Sequence, residues 1–239
     1  MTLNLLIIDT ETTGTDPIQD QVIEIGAILY SISFQSPLAQ LSFLLYAPDN
    51  AAESINRIPP AALSALPDTL QHQSLDVLKA MAANARYAVA HNAEFDAQWF
   101  DDQRLPILRN QNQEPLPWLC SMTDMTWPKQ SRPGQSLINL ALDHGIGVST
   151  AHRALTDCQL LSELLTRLTP DELDHLMAQA LRPTAIFQAQ VSYDDRQLAK
   201  DAGFKWDADR KIWFRKMAIE DTQNLCFSVI QLSKTNENR

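Results

Sequence analysis

The side chains best suited to chemistry sit where the apolar run Leu5-Leu6-Ile7-Ile8 ends, with Asp9 and Glu11 spaced i, i+2. An unbroken apolar run reads as a strand covered on both faces, and strand side chains alternate, so the two carboxylates project from one face. Acids so placed repel each other and lose hydration; a divalent cation is the usual group that offsets this cost. Read more plainly, Asp9 and Glu11 merely begin a solvated loop, so the rest of the chain has to supply their partners. Three further groups are candidates: Asp96, Asp157 and His152. Asp96 falls in the first turn or two of a helix after the short strand 87–90, and Asp157 in the first turn of an amphipathic helix from Ala154. His152 sits in a loop at 149–153. Singly, these are acids favoured by a helix dipole and an ordinary loop histidine. Taken together, each acid follows a strand end or opens a helix, where open α/β sheets gather ligands.

The elements that must position these groups are legible in coarse form. Residues 3–9 read as a central strand, 12–20 as a turn-rich connection, and 22–30 and 41–46 as further strands close enough to pair as antiparallel hairpins. Glu24 is a lone acid inside the second of these; it is either a group lying near Asp9 or a solvent-facing edge residue. A short helix is expected at 60–66, and a longer one at 74–84 with Ser74 as its cap. After the buried strand 87–90, Asn92 can cap a helix whose stripe is Phe95, Trp99 and Phe100. A last short strand at 118–120 follows a proline-broken loop, then a helix at 136–144 capped by Ser136 and stopped at Gly145. The helix from Ala154 carries Leu155, Leu161, Leu164, Leu165 and Leu168.

The 239 residues, 45% of them hydrophobic, allow one sizeable domain plus an appendage. A net charge of -10 argues against a protein that coats nucleic acid by bulk charge, though not against an enzyme with a local metal-filled cleft. Cys120, Cys158 and Cys226 are far apart and offer neither a disulfide framework nor ligand spacing, so a reducing, cytoplasmic location is expected. No signal peptide is expected, because the short apolar run leads straight into acids, and no stretch approaches the ~18 apolar residues of a membrane span. Gly14 has no Gly-Lys-Ser/Thr context, which argues against a P-loop kinase or ATPase. The remaining histidines, His72, His91, His144 and His175, give no facial-triad spacing for iron.

Three segments together carry a resemblance: Ile8-Asp9-Thr10-Glu11-Thr12-Thr13-Gly14, His91-Asn92-Ala93-Glu94-Phe95-Asp96 and His152-Arg153-Ala154-Leu155-Thr156-Asp157. In order and spacing they resemble the three motifs of the DEDDh, DnaQ-like family of 3′-to-5′ exonucleases, over roughly residues 3–168. The resemblance implies an α/β, ribonuclease-H-like fold: a mixed five-stranded sheet flanked by helices. It implies Asp9, Glu11, Asp96 and Asp157 as metal ligands and His152 as general base, with Thr12 and Asn92 near the terminal nucleotide. All-oxygen ligands suit Mg²⁺ or Mn²⁺, two ions per site, one activating a water and the other stabilising the leaving oxygen. Without metal the acids repel: two unit charges about 4 Å apart interact by about 4 kcal/mol at an effective dielectric of about 20. An imidazole titrates near neutrality and suits the proton of that water.

The chain therefore divides into an exonuclease domain at 1–169, a helical connector at 170–183 and a small α+β accessory module at 184–239. In the module, 185–191 reads as a strand, 195–202 as a helix and 204–217 as a hairpin turning at 207–209. Alternation along the second hairpin strand puts Lys211, Trp213 and Arg215 on one face, and Ile212 and Phe214 on the core side. A basic face with an aromatic suits a nucleic-acid strand; packing of Trp213 with solvated charges is the plain alternative. The expected activity is removal of nucleotides from 3′ ends, with single-stranded DNA favoured and roles in proofreading or DNA repair. The rivals are RNA 3′-end trimming on the same site and a non-catalytic, polymerase-associated binding module. A homodimer or association with a polymerase is compatible with the family.

Overall fold

A computed structural model describes residues 3–148 and 152–232, and in it the apolar run opens strand β1 (Asn4–Thr12). Strands β2 (Val22–Ser31) and β3 (Ser36–Leu44) follow as antiparallel neighbours, and β4 (Tyr87–Ala90) and β5 (Trp118–Cys120) add in parallel on the other side. The sheet order is β3-β2-β1-β4-β5, the mixed five-stranded arrangement expected. Between β3 and β4 run α1 (Glu53–Asn56), α2 (Pro60–Leu63) and α3 (Asp68–Ala83), and α4 (Ala93–Ala97) lies between β4 and β5. Three helices follow the sheet: α5 (Leu137–Asp143), α6 (Ala154–Thr166) and α7 (Pro170–Ala180).

Alternation along β1 divides the core in two. Leu5 and Ile7 pack into a cluster with α5, α6 and α7, whereas Leu6 and Ile8 join α3, Trp99 and Phe100 on the opposite face. The α7 helix, closed by a capping box between Thr169 and Glu172, buries Leu173, Leu176 and Met177 in the first of these clusters.

Element boundaries differ from the sequence reading for identifiable reasons. Strand β3 begins at Ser36 because most of it is an exposed edge, which leaves no apolar pattern to read. Helix α3 begins after Pro67, so Ser74 is inside the helix and not its cap. Helix α4 stops at Ala97, and Asn92 makes no side-chain cap bond; Trp99 is fully buried from the loop beyond. The expectations for 149–151 and for the last residues, 233–239, lie outside the described residues. Among the described residues no helix is long and apolar enough to cross a membrane.

Strands β6 (Thr184–Ala189), β7 (Lys205–Asp207), β8 (Ile212–Ala218) and β9 (Val229–Gln231) form a second sheet of order β7-β8-β6-β9, with α8 (Arg196–Asp201) against it. Its small core is Phe187, Ala189, Ala199, Phe204 and Met217, with Trp213 packed alongside. The inward row of β8 is thus Trp213, Arg215 and Met217, opposite to the expectation that Ile212 and Phe214 face the core. Met217, one residue beyond the stretch used for that reading, sets the register. On the other row, Lys216 reaches the buried Asp124 of the first sheet's domain at 3.1 Å.

One contact fixes how α6 lies on the first sheet. A Cβ built on Gly26 of β2 would come within 2.3 Å of the Ala154 carbonyl carbon and the Leu155 nitrogen, so only glycine lets the first turn of α6 sit this low. Gly26→Ala is expected to destabilise the protein by about 1–3 kcal/mol through overpacking, lowering the melting midpoint by about 2–4 °C per kcal/mol. A variant that melts with the parent would show that the helix has room to spare.

Candidate active site

Asp9 and Glu11 are the last acids on the β1 row that faces α6, and Asp157 lies in the first turn of that helix. Opposite them on β2, Asp9 is paired with Gly26 and Glu11 with Glu24. The low seat of α6 on Gly26 is therefore what brings Asp157 down to the β1 acids. The sulfur of Cys158, next in the helix, lies 3.3 Å from the Gly26 carbonyl oxygen.

Glu24 holds the start of the same helix. It is 2% exposed, and its carboxylate accepts from the Arg153 guanidinium at 2.8 and 2.9 Å and from the Ala154 backbone N–H at 3.1 Å. Ser42 of β3 donates a further bond at 3.2 Å. A buried carboxylate with a bidentate arginine and a helix-terminal N–H is a charge-assisted anchor. Of the two sequence readings of Glu24, the solvent-facing edge is the wrong one. The anchor's partner, Arg153, was missed; a cation directly after His152 at the helix entrance was the available signal. Gly26, isolated inside an apolar strand, was a second such signal.

Asp96 approaches from the opposite face. Thr10, between the two β1 acids, points to that side, and its N–H and hydroxyl both donate to Asp96 Oδ1, at 3.0 and 2.8 Å. The carboxyl is 3% exposed, and both bonds fall on the one oxygen Oδ1. His152 is exposed, with a left-handed backbone at φ 60°, and one ligand atom each from Glu11, His152 and Asp157 lie within 4.8 Å of one another.

The electrostatics record the convergence. Burial, then repulsion from Asp96, Asp157, Glu11 and Glu24, holds the Asp9 carboxyl well above the carboxylate range. Burial and the charges of Asp157, Glu24 and Asp96 push Glu11 up to about 8, with Arg153 opposing. Asp96 is pushed up to about 7, chiefly by burial and against its Thr10 bonds. Burial also raises Asp157, while the neighbouring His152 pulls it down. Carboxyls that resist ionisation together, and offer oxygen donors from three elements, fit a hard divalent cation, which would hold them charged. Glu11, His152 and Asp157 are the three that bring ligand atoms close enough to share an ion; Asp9 and Asp96 lie outside that group of three and are tied to it by the charge effects just described.

The remaining sequence candidates are placed as follows. Thr12 is buried; its hydroxyl donates to the Gly14 carbonyl and its own carbonyl accepts from Asn56 at 3.2 Å. Asn92 is exposed and lines a cleft of about 320 Å³ together with Arg215, whose guanidinium donates to the Ala202 carbonyl at 2.6 Å. Trp213 lines a different cleft, on the far side of β8 from Phe214 and Lys216. His91 beside Asn92 is held by Ser121 and the Gln135 carbonyl, both at 2.9 Å, and burial lowers its pKa.

Residues 6–165 match a protein-family model described as Exonuclease, and residues 185–232 match one described as a domain of unknown function. DNA polymerase III subunit epsilon of Treponema pallidum (strain Nichols) is 29% identical over 167 residues, 67% of this chain and 74% of that protein. Among solved structures, E. coli exonuclease I in complex with a dT13 oligonucleotide aligns with a TM-score of 0.57 at 18% identity, over 83% of this chain and 50% of that one. The nuclease domain of 3′hExo, a DEDDh family member bound to rAMP, aligns with a TM-score of 0.56 at 14% identity, over 72% of this chain and 94% of that one. The two structures share the fold of the first sheet and its helices; this chain spans half the length of exonuclease I.

The raised carboxyls have a consequence for stability. A carboxyl that binds its proton more tightly in the folded chain stabilises the fold at low pH, and that contribution is lost as pH rises through its folded value. For Glu11 the window runs from the ordinary 4.5 to about 8, and for Asp96 from 3.8 to about 7. In chelator, the melting midpoint is expected to fall as pH rises across this window, with Mn²⁺ or Mg²⁺ reversing the fall and Glu11→Gln flattening it. A Glu11→Gln profile parallel to the parent's would show that these acids do not repel as described.

Proposed function

The chain belongs to the DEDDh, DnaQ-like family of 3′-to-5′ exonucleases, and on that premise we propose that it hydrolyses the terminal phosphodiester of a nucleic-acid 3′ end with two divalent cations, Mg²⁺ or Mn²⁺. The observation that supports this most is the meeting of Glu11, His152 and Asp157, with ligand atoms within 4.8 Å of one another, beside the buried carboxyls of Asp9 and Asp96. DNA is the favoured substrate, since the 29% identical relative is a subunit of a DNA polymerase.

In this reading Asp9, Glu11, Asp96 and Asp157 are the cation ligands. When bound, the cations lower the pKa of the attacking water and neutralise charge developing on the phosphate and the leaving oxygen. The protein's own side chains do the rest. His152, exposed at the site's edge, takes the proton from the water as its oxygen attacks phosphorus and the bond to the leaving 3′-oxygen breaks. Thr10 fixes the Asp96 carboxyl so that its free oxygen is presented without rotation. The Glu24–Arg153 pair holds the helix entrance, so His152 moves on a short tether beside a fixed Asp157. Asn92, exposed at the start of α4, is suited to contact the terminal nucleotide.

Labelled single-stranded DNA, duplex DNA and RNA, incubated with Mg²⁺, Mn²⁺ or chelator, test the reading. Stepwise shortening from the 3′ end, abolished by chelator and fastest on DNA, is expected; faster loss of RNA would reassign the substrate. His152→Ala should lower turnover by about 10²–10⁴-fold, the range of a general base, with Mn²⁺ affinity retained. Loss of Mn²⁺ affinity in that variant would make His152 a ligand, and no shortening of any substrate would leave a binding module.

A further inference from the structure

The module that follows the nuclease fold has a cleft of its own, about 770 Å³, between the β6–α8 connection, α8 and the β7–β8 hairpin. Two tryptophans form its floor. Trp206 and Trp213 are register partners on β7 and β8, with ring centroids 5.4 Å apart. Trp213 packs on the module's core, but Trp206 remains 50% exposed, and Tyr193 at the rim is 78% exposed. Three cations complete the lining. The Arg196 guanidinium lies 4.0 Å from the Tyr193 ring centroid, Lys200 Nζ lies 5.8 Å from that of Trp213, and Lys211 stands at the hairpin end.

The composition of this cleft runs against that of the chain. The protein carries a net charge of -10, yet among the described residues no carboxylate lines the cleft, where three cations flank three aromatics. Exposed aromatics are normally scattered singly, and a cluster of them marks a surface with a ligand. The apolar core of the module is already closed by Phe187, Phe204 and Met217, so Tyr193 and Trp206 are not needed to complete it. Flat aromatic faces with cations at the edges match unstacked bases joined by phosphates, the class of chain on which the nuclease reading has the protein act.

We propose that this cleft binds single-stranded nucleic acid, stacking a base on Tyr193 or Trp206 and pairing the flanking phosphates with Arg196, Lys200 and Lys211. The choice of ligand rests on the nuclease reading above. The cleft lies wholly within the module, so it is a second hold on the strand, separate from the carboxylate site. A chain held twice has its 3′ end at raised effective concentration near the carboxylates, which favours long strands over short ones.

The test uses the full chain in chelator, so that nothing is hydrolysed, and measures the anisotropy of labelled oligothymidylate and oligouridylate longer than one site of about 4–16 nucleotides. Two variants are compared with the parent: Tyr193→Ala with Trp206→Ala, and Lys200→Glu with Lys211→Glu. All four positions line the cleft and none is in the module's buried core, so folding should persist, as circular dichroism melting would check. Each variant is expected to bind about tenfold more weakly or worse, and the charge-reversed one to show a shallower dependence of affinity on salt. The ratio between the two oligomers tells DNA from RNA. Folded variants that bind as tightly as the parent would overturn the proposal. A parent that hydrolyses nothing with Mg²⁺, but whose binding falls in the variants, keeps this site and removes the nuclease reading. Hydrolysis with unchanged binding in the variants does the reverse.

Discussion

The structure turns on how low the first turn of α6 sits over β2. Gly26 removes the Cβ that would hold the helix off, and Glu24, one turn of the pleat away, ties down Arg153 and the helix-terminal N–H of Ala154. Both residues belong to the strand that pairs with β1 at Asp9 and Glu11. A single strand therefore sets the β1 register and the height of the helix carrying Asp157. Sheet and helix meet because one short stretch, Glu24 to Gly26, touches both, and His152 directly precedes the arginine that Glu24 holds.

That convergence sets the site's electrostatics. Four acids approach from three elements, and Arg153, whose charge opposes the rise of Glu11, is held by a fifth acid, Glu24. Among the described residues Arg153 and His152 offset part of this repulsion, at Glu11 and Asp157, and the carboxyls remain raised. The frame does not relax to relieve the repulsion, since Asp96 is pinned by Thr10 and Asp157 by the seat of α6. Burial and repulsion of this kind would favour a hard cation of high charge, the group proposed for the site.

Much of this was legible in the residues. The Leu5–Ile8 run predicts a doubly covered strand because both of its faces are apolar, and β1 is such a strand. The start of α6 follows from its apolar periodicity from Ala154 onward. What was not legible depended on partners distant in sequence. Glu24 reads equally as edge or interior until Arg153, 129 residues away, is seen to meet it. Thr10 appears as a spacer between two acids until Asp96 is found bonded to it from the opposite face. The inward row of β8 was misread because alternation over a short stretch has two phases, and Met217, which decides between them, lay just outside. The exposed edge of β3 left no pattern at all.

The central claim is that Asp9, Glu11, Asp96 and Asp157 share cations once the chain is folded. Anomalous diffraction from crystals of the protein soaked in Mn²⁺ tests it most directly. Two peaks are expected at the end of β1, within ligand distance of Asp9, Glu11, Asp96 and Asp157. Manganese bound elsewhere, or an Asp96 carboxyl that contacts only Thr10 while the others hold the metal, would contradict it.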